Sequence, residues 1–238
     1  MCAWSCCCKA THGYGESVLI AEDLLLLLLD DKRGTAQSTF MQPALGGALL
    51  VELALAEVVD VGPGSYWRPA KVSVVAGAPA DAVLAAAVAT VAEKPRTAQK
   101  LVDRLGRGLQ KNLADRLVDR GILERHDTRV LGIFPRHRWP TVDATHEEQV
   151  RRQLAAALVG GQDPDPRTAA LAALLLAVDR VHKTVPHEGL SSRQVKRRAT
   201  EIAEGDWAVK GVKDAVRASQ AAVMAAVAAS STAATAGS

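Results

Sequence analysis

The apolar pattern is densest in residues 21–31, where six consecutive leucines at positions 24–29 stand between two pairs of acidic residues. A six-residue helical run covers about 9 Å, whereas crossing a bilayer takes roughly 20 apolar residues. Leucines at successive positions point to every side of a helix, so protein must surround this segment. The pattern therefore predicts a central buried helix over residues 18–29.

Apolar positions in the rest of the chain recur mostly at helical spacing. Pro43 suits the first turn of a helix, so the apolar run after it predicts a second helix up to Glu57. A short strand is predicted at residues 71–75. Further helices are predicted at residues 82–93, 97–120 with a break near Gly106 and Gly108, 147–159, 167–181, 191–203 and 207–227.

One segment departs from this helical periodicity. Gly121 suits the end of a helix, and residues 122–125 and 130–134 have the apolar and β-branched character of short strands around a polar turn. This pattern predicts a β-hairpin. The predicted fold class is therefore mostly α, a single-domain helical bundle with a central buried helix, surrounding amphipathic helices and a small β-hairpin.

Composition indicates a core of aliphatic side chains. The chain is 48% hydrophobic but has only eight aromatic residues, which favours closely packed helices over a β-sandwich. All four cysteines lie within the first eight residues, so the fold is expected to use no disulfide, and their spacing does not suit a metal site. We expect a disordered, Cys-containing tail over residues 1–16, a helical domain over 17–227, a disordered tail over 228–238, and no metal or other cofactor.

The positive charge of the chain is local. The net charge is +3, yet residues 100–138 carry ten Lys/Arg against five Asp/Glu, so this segment is at +5 and the remainder at −2. If residues 100–111 form one helix, four basic side chains project within an arc of about 60°, opposite the leucines. These residues, here called the basic stripe, are Lys100, Arg104, Arg107 and Lys111.

Two interpretations of the basic stripe stay open. A solvated charged face is the default for such a helix. The apolar hairpin that follows favours a membrane surface instead, because basic side chains bind phosphate head groups while Leu131, Ile133 and Phe134 enter the interface. If instead the stripe is only a solvated face, Leu131, Ile133 and Phe134 pack on the preceding helix.

No catalytic motif accompanies the basic stripe. The sequence has no glycine-rich phosphate loop, no serine elbow and no histidine pair at metal spacing, so no enzymatic activity is expected. A helix followed by a hairpin, with basic residues on both, is also the outline of a winged-helix DNA-binding regulator. Residues 126–129 are only partly basic, whereas a DNA-reading wing needs Arg or Lys at its tip. We therefore keep DNA binding as the alternative function. For the preferred function at a membrane surface, no nucleic-acid partner is expected.

Four segments together resemble the Golgi phosphoprotein 3 family. They are residues 17–31, 46–55, 113–123 and 165–175, which read SVLIAEDLLLLLLDD, GGALLVELAL, LADRLVDRGIL and DPRTAALAALL. They follow the family's order over about residues 17–227, and the Ala-, Val- and Arg-rich style is similar to the bacterial branch. The resemblance implies a mostly helical single domain. Eukaryotic members bind phosphatidylinositol 4-phosphate and sit peripherally on Golgi membranes.

The resemblance also implies positions for a head-group site. The family's pocket uses a Trp and an Arg near the second helix, plus two Arg on the helix before the hairpin. The first of these helix arginines matches Arg107, and the second falls on Gln110. The Arg near the second helix falls on Gly46, and the Trp falls near Gln37. With the neighbouring basic residues, the implied head-group set is Arg107, Gln110, Lys111, Arg104, Gln37 and Gly46.

Only Arg107 keeps the family's residue, so anionic-lipid binding follows from the resemblance and the specific phosphoinositide pocket does not. The implied membrane contact and self-association belong to a hairpin set of Leu131, Ile133, Phe134 and Arg129. We therefore expect a cytoplasmic peripheral protein at the inner face of the membrane. Its expected ligand is an anionic phospholipid, and phosphatidylinositol 4-phosphate is the lipid that the resemblance implies.

Overall fold

The computed structural model describes residues 18–62, 70–77, 79–130, 134–205 and 210–235. Within these ranges the chain forms ten helices and two two-stranded antiparallel sheets, which confirms the mostly α class. None of the helices in these ranges has the length and apolar character that crossing a bilayer requires. In chain order the elements are α1 (Ile20–Leu28), α2 (Met41–Leu55), β1 (Val59–Val61), β2 (Val72–Val74), α3 (Ala82–Ala92), α4 (Ala98–Leu105), α5 (Leu109–Asp119), β3 (His126–Val130), β4 (Phe134–Arg138), α6 (Thr145–Leu158), α7 (Pro166–Ala177), α8 (Val181–Thr184), α9 (Ser192–Glu204) and α10 (Lys210–Thr235).

Helix α1 lies at the centre of the fold, as its leucines predict. All nine of its residues are buried, and Leu24, Leu25 and Leu28 have no exposed surface. The helix contacts α2, α5, α6 and α7, so neighbours cover it on every side. Burying one leucine side chain contributes about 1.5–3 kcal/mol, which makes α1 the centre of the hydrophobic core.

Two acidic residues in the first turn of α1 are buried with the leucines. Glu22 accepts hydrogen bonds from Arg116 Nε at 3.0 Å and from Arg120 Nη1 at 3.1 Å, and both arginines belong to the α5 segment. Glu22 also stabilises the start of the helix, because its Oε2 accepts a hydrogen bond from the Leu19 N–H at 2.8 Å. A buried charge without a partner is strongly destabilising, so these pairs fix α5 against α1.

Asp23 connects α1 to two further helices. Its Oδ2 accepts from Arg167 Nη2 at 3.0 Å, and its Oδ1 lies 2.6 Å from His146 Nε2. Arg167 also binds Glu52 of α2 at 3.0 Å. Burial raises the pKa of Glu52, and the charge of Arg167 opposes that rise. We call Glu22, Asp23, Glu52 and their basic partners the buried ionic cluster.

Helices α2 and α4 meet through their backbones. A Cβ atom added at Gly46 would lie 1.9 Å from the Val102 carbonyl oxygen, and one added at Gly106 would lie 1.9 Å from the Gln42 carbonyl oxygen. Gln42 also donates a hydrogen bond from its side chain to the Asp103 carbonyl at 3.1 Å. No side chain larger than hydrogen fits at either glycine, so glycine at both positions allows this close approach.

The hairpin is present, but it lies later in the sequence than predicted. Residues 126–129, predicted as the turn, form most of β3, and Asp127 pairs with His137 across the sheet. The physical reason lies in the two residues after α5. Ile122 donates its N–H to the last turn of α5 at 2.9 Å and Leu123 is buried, so the body of the protein takes both residues and strand pairing begins after them.

Three other elements differ from their predictions. The helix predicted over residues 167–181 stops before Asp179, whose backbone φ is 55°, and the one-turn α8 follows. Strand β1 was not predicted, and it pairs with the predicted strand β2 over only three residues. Helix α10 continues to Thr235 and does not end near Val227, which agrees with the high helix propensity of alanine. The predicted tail over residues 1–16 lies outside the described residues.

Replacing Gly46 with alanine is expected to destabilise the protein, because the new methyl group would meet backbone atoms that cannot move aside. Overpacking of this kind costs about 1–3 kcal/mol or more. Thermal unfolding measures the effect. Gly47→Ala is the matched control, since its Cβ would meet only side-chain atoms, of Leu174 and Val223 at 3.3 Å and of Ser219 at 3.6 Å. Equal melting temperatures for the two variants would contradict the close α2–α4 contact.

The buried ionic cluster predicts a pH-dependent contribution from His146. The hydrogen bond that the protonated His146 ring donates to Asp23 raises the pKa of His146 above its usual value, and partial burial opposes this rise. A raised pKa means that the folded protein binds the proton more tightly than the unfolded chain. The stabilisation is therefore fully present below about pH 6.5 and is lost as the pH rises through the folded-state pKa.

We expect His146→Gln to lower the melting temperature more at about pH 5.5 than at about pH 9. His187→Gln is the control, because His187 has no carboxylate partner within the part of the chain that the structure describes. A loss that is the same for His146→Gln at both pH values would show that the contact does not depend on the proton.

Candidate functional site

A cleft of about 520 Å³ opens where the α3–α4 connection meets β2 and α4. Six of its nine lining residues are basic, and one is acidic. We call it the basic cleft. Its lining consists of Lys71, Lys94, Pro95, Arg96, Thr97, Lys100, Asp103, Arg104 and Arg107.

Local sequence explains why these side chains converge. Helix α3 ends ahead of Pro95, and Thr97 in an extended conformation precedes the first residue of α4. Between the two helices, the Arg96 carbonyl accepts a hydrogen bond from the Val72 N–H at 2.8 Å. This single backbone contact brings the connection beside β2 and its neighbour Lys71. Basic residues that lie far apart in the sequence therefore line one cleft.

A carboxylate at the edge of the cleft holds two of the six cations. Glu93 Oε2 accepts from Arg96 Nη2 at 2.8 Å and from Arg104 Nη2 at 2.7 Å. Hydrogen bonds from Arg96 and then Arg104 lower the pKa of Glu93 below its usual value. Arg96 is further fixed by donating to the Thr90 carbonyl at 2.9 Å.

The other four cations of the cleft have no ion-pair partner within the residues that the structure describes. They are Lys71, Lys94, Lys100 and Arg107. All four are exposed. Flexible ammonium groups and a guanidinium fork are the groups that bind phosphate oxygens in proteins. The arrangement therefore provides a concave, positively charged site that can bind an anion with several oxygens.

The structure brings only part of the basic stripe to this cleft. Lys100, Arg104 and Arg107 line it, whereas Lys111 pairs with Asp115 on α5 at 2.6 Å. The break that the sequence indicated near Gly106 and Gly108 is present, so the single helix over residues 100–111 on which the 60° arc was conditional does not form. Helix α4 ends at Leu105 and α5 begins at Leu109, because the close contact of Gly106 with α2 and the positive φ of Gly108 turn the chain.

Three residues that the resemblance implied for the head-group set lie elsewhere. Gly46 is buried at the α2–α4 contact, and Gln110 lies on α5 outside the cleft lining. Gln37 donates to the Leu29 carbonyl at 2.9 Å and accepts a hydrogen bond from Arg180. The structure therefore assembles the cleft around Arg104 and Arg107 without these three residues.

The structure describes only part of the hairpin set. Leu131 and Ile133 lie outside the described residues. Arg129 is in β3 and Phe134 begins β4, but the positions of their side chains lie outside the described part of the chain. Membrane contact by the hairpin stays a prediction.

Sequence reasoning missed three basic residues of the cleft, which are Lys71, Lys94 and Arg96. A signal was present in the stretch Lys94-Pro95-Arg96, where two cations flank the proline between two predicted helices. No pattern in the sequence links Lys71 to them, because that proximity depends on the hydrogen bond between Val72 and Arg96.

Fold and cleft together define a mostly α, single-domain protein with a basic surface cleft. The family model for Golgi phosphoprotein 3 (GPP34) matches residues 20–219. The chain belongs to the Golgi phosphoprotein 3 family, which confirms the resemblance seen in the sequence. A search among curated proteins found no match.

Glu93→Gln is expected to raise the affinity of the cleft for pyrophosphate, because it releases Arg96 and Arg104 from their carboxylate partner. Exposed ion pairs are weak, so we expect an increase of a few-fold. Isothermal titration calorimetry measures it, and Glu204→Gln, an equal charge change at the end of α9, is the control. Unchanged affinity for Glu93→Gln would show that Arg104 takes no part in anion binding.

Proposed function

We propose that this protein is a peripheral membrane protein whose basic cleft binds the phosphate head groups of anionic phospholipids. The observation that carries the proposal is the convergence of six cations and a single aspartate in one cleft. Membership of the Golgi phosphoprotein 3 family supports it. The proposed role is binding without catalysis.

Electrostatic attraction supplies the first part of membrane attachment. Each Lys or Arg near an anionic surface contributes about 1 kcal/mol, and the effect fades within a Debye length of roughly 8–10 Å at physiological salt. The four cleft cations that have no ion-pair partner among the described residues therefore suffice for salt-sensitive binding. Arg104 can add to them when a phosphate displaces Glu93.

The cleft also favours a head group that carries a phosphate monoester. A monoester offers three oxygens and about two negative charges, which suits several cations around one concave site. Phosphatidylinositol 4-phosphate and phosphatidic acid both meet this condition. The cleft is about 520 Å³, which is within the size range of small-molecule sites. We propose that the protein binds phospholipids with a phosphate-monoester head group at the inner face of the membrane.

The hairpin is proposed to supply an apolar part of the same attachment. Leu131 is the first candidate for insertion, and Ile133 and Phe134 are the next. Insertion of one or two aliphatic side chains contributes roughly 1.5–3 kcal/mol each and persists at high salt. Self-association through the hairpin is a further part of this proposal.

The described part of the hairpin does not favour DNA as the partner. Arg125 Nε binds Asp127 Oδ1 at 3.0 Å, and His137 Nδ1 lies 2.6 Å from the same oxygen. His126 lies 3.2 Å from Glu124. These contacts compensate basic groups that a DNA-reading wing needs for phosphate or base contacts. We therefore propose lipid as the anionic partner.

The test compares two double variants that remove the same charge. Lys94→Gln/Lys100→Gln alters the cleft, and Lys183→Gln/Arg193→Gln alters exposed cations outside it. Cosedimentation with phosphatidylcholine vesicles containing phosphatidic acid or phosphatidylinositol 4-phosphate measures binding. At about 1 kcal/mol per cation, we expect the cleft variant to bind at least tenfold more weakly than the control variant at low salt.

The proposal would be overturned if the two double variants bound anionic vesicles equally well. A gel-shift assay with duplex DNA runs in parallel. Tight, steeply salt-dependent DNA binding without vesicle binding would instead favour the nucleic-acid function.

A further inference from the structure

A second groove of about 500 Å³ lies next to the basic cleft, between α3 and α5. Most of its lining is apolar, and its polar residues lie at Thr90, Asn112 and three arginines. We call it the α3–α5 groove. Its walls include Ala86 on α3 and Asn112 on α5, and its two ends lie at Arg107 and Arg116.

The two concavities are adjacent and share two lining residues. Arg104 and Arg107 line the basic cleft and also line the α3–α5 groove. Both side chains are exposed, so they separate a strongly cationic space from a mainly apolar one. A ligand bound by these two guanidinium groups at its anionic end would have its adjoining part directly at the entrance of the apolar groove.

The other end of the groove does not offer a second anion site. Arg116 binds Glu22 at 3.0 Å and Asp81 at 2.8 Å, so two carboxylates compensate its charge. Positions 109 and 116 on α5 are two helical turns apart, which spans about 10 Å. The groove therefore has a cationic end at Arg107, an apolar middle and a charge-compensated end at Arg116.

We propose that the α3–α5 groove takes the first part of an acyl chain of the phospholipid whose phosphate occupies the basic cleft. This inference rests on the proposed function and adds the form of the ligand. The protein would bind one phospholipid molecule by head group and chain together. A mainly apolar groove beside a phosphate site suits an occupant that is apolar and is joined to a phosphate by a few atoms, and a glycerophospholipid has both properties.

Calorimetry with two soluble probes tests the proposal. Dihexanoyl phosphatidic acid and glycerol 3-phosphate share the phosphate monoester and differ in the acyl chains. Burial of one methylene group raises affinity roughly fourfold, so a chain seated in the groove should make the lipid bind at least tenfold more tightly. The lipid is kept below its micelle concentration so that single molecules are measured.

Two substitutions fill the groove from opposite walls. Ala86→Phe acts from α3 and Asn112→Phe from α5, and both positions are exposed. Each is expected to reduce the advantage of the lipid over glycerol 3-phosphate to within about threefold, while glycerol 3-phosphate binding stays within twofold of wild type. Ala89→Phe is the control, because Ala89 is exposed on α3 and lines neither concavity.

Three results would overturn the inference. They are equal affinity of wild type for the two probes, no binding of the soluble lipid, and an undiminished lipid advantage in both groove variants. If vesicle binding still depends on Lys94 and Lys100 in any of these cases, only the groove inference fails. If vesicle binding is independent of the cleft, the head-group function fails by itself. An advantage lost in Ala86→Phe and Asn112→Phe but kept in Ala89→Phe would support the acyl-chain site.

Discussion

A carboxylate that is fully buried needs a compensating charge, and the two acids that begin α1 obtain theirs from helices far along the chain. Glu22 binds Arg116 and Arg120, and Asp23 binds Arg167. Removing one partner from a buried pair typically costs about 3–5 kcal/mol, because the other charge stays uncompensated. Apolar side chains alone would tolerate several ways of packing α5 and α7 around the leucines. The ion pairs demand a particular placement, and the rest of the bundle depends on it.

The same interaction reaches the surface. Arg116 also binds Asp81, and Asp81 caps α3 by accepting from the N–H groups of Val83 and Leu84 at 2.8 Å and 3.0 Å. One guanidinium therefore ties α1, α3 and α5 together. The two outer helices are the walls of the α3–α5 groove, so a cluster that stabilises the core also sets the distance between the walls of the groove. The packing of the core and the shape of this surface groove therefore depend on the same ion pairs.

The parts of this fold that the sequence predicts are those in which local composition leaves no alternative. Leucine at every position from 24 to 29 demands burial in any arrangement, and α1 is found where it was expected. Hairpin register is a weaker signal, because Ile122 and Leu123 suit a strand and a buried connection equally well. The glycines at 106 and 108 indicated a helix break, which divides the basic stripe between α4 and α5. That Gly106 touches the α2 backbone is a tertiary fact that nothing local shows. Lys71 joins the cleft through one backbone hydrogen bond between Val72 and Arg96, which has no counterpart in sequence spacing.

Gly46 has a consequence for which side chains its position can hold. The resemblance places a head-group arginine of eukaryotic relatives at this position, and here a Cβ atom would already lie 1.9 Å from the Val102 carbonyl oxygen. An arginine cannot occupy this position unless α2 and α4 move apart, which would also require a change around Gly106. Close contact between the α2 and α4 backbones therefore excludes a ligand side chain at this position. The cations that line the basic cleft come from other segments, with Lys94 and Arg96 on the α3–α4 connection.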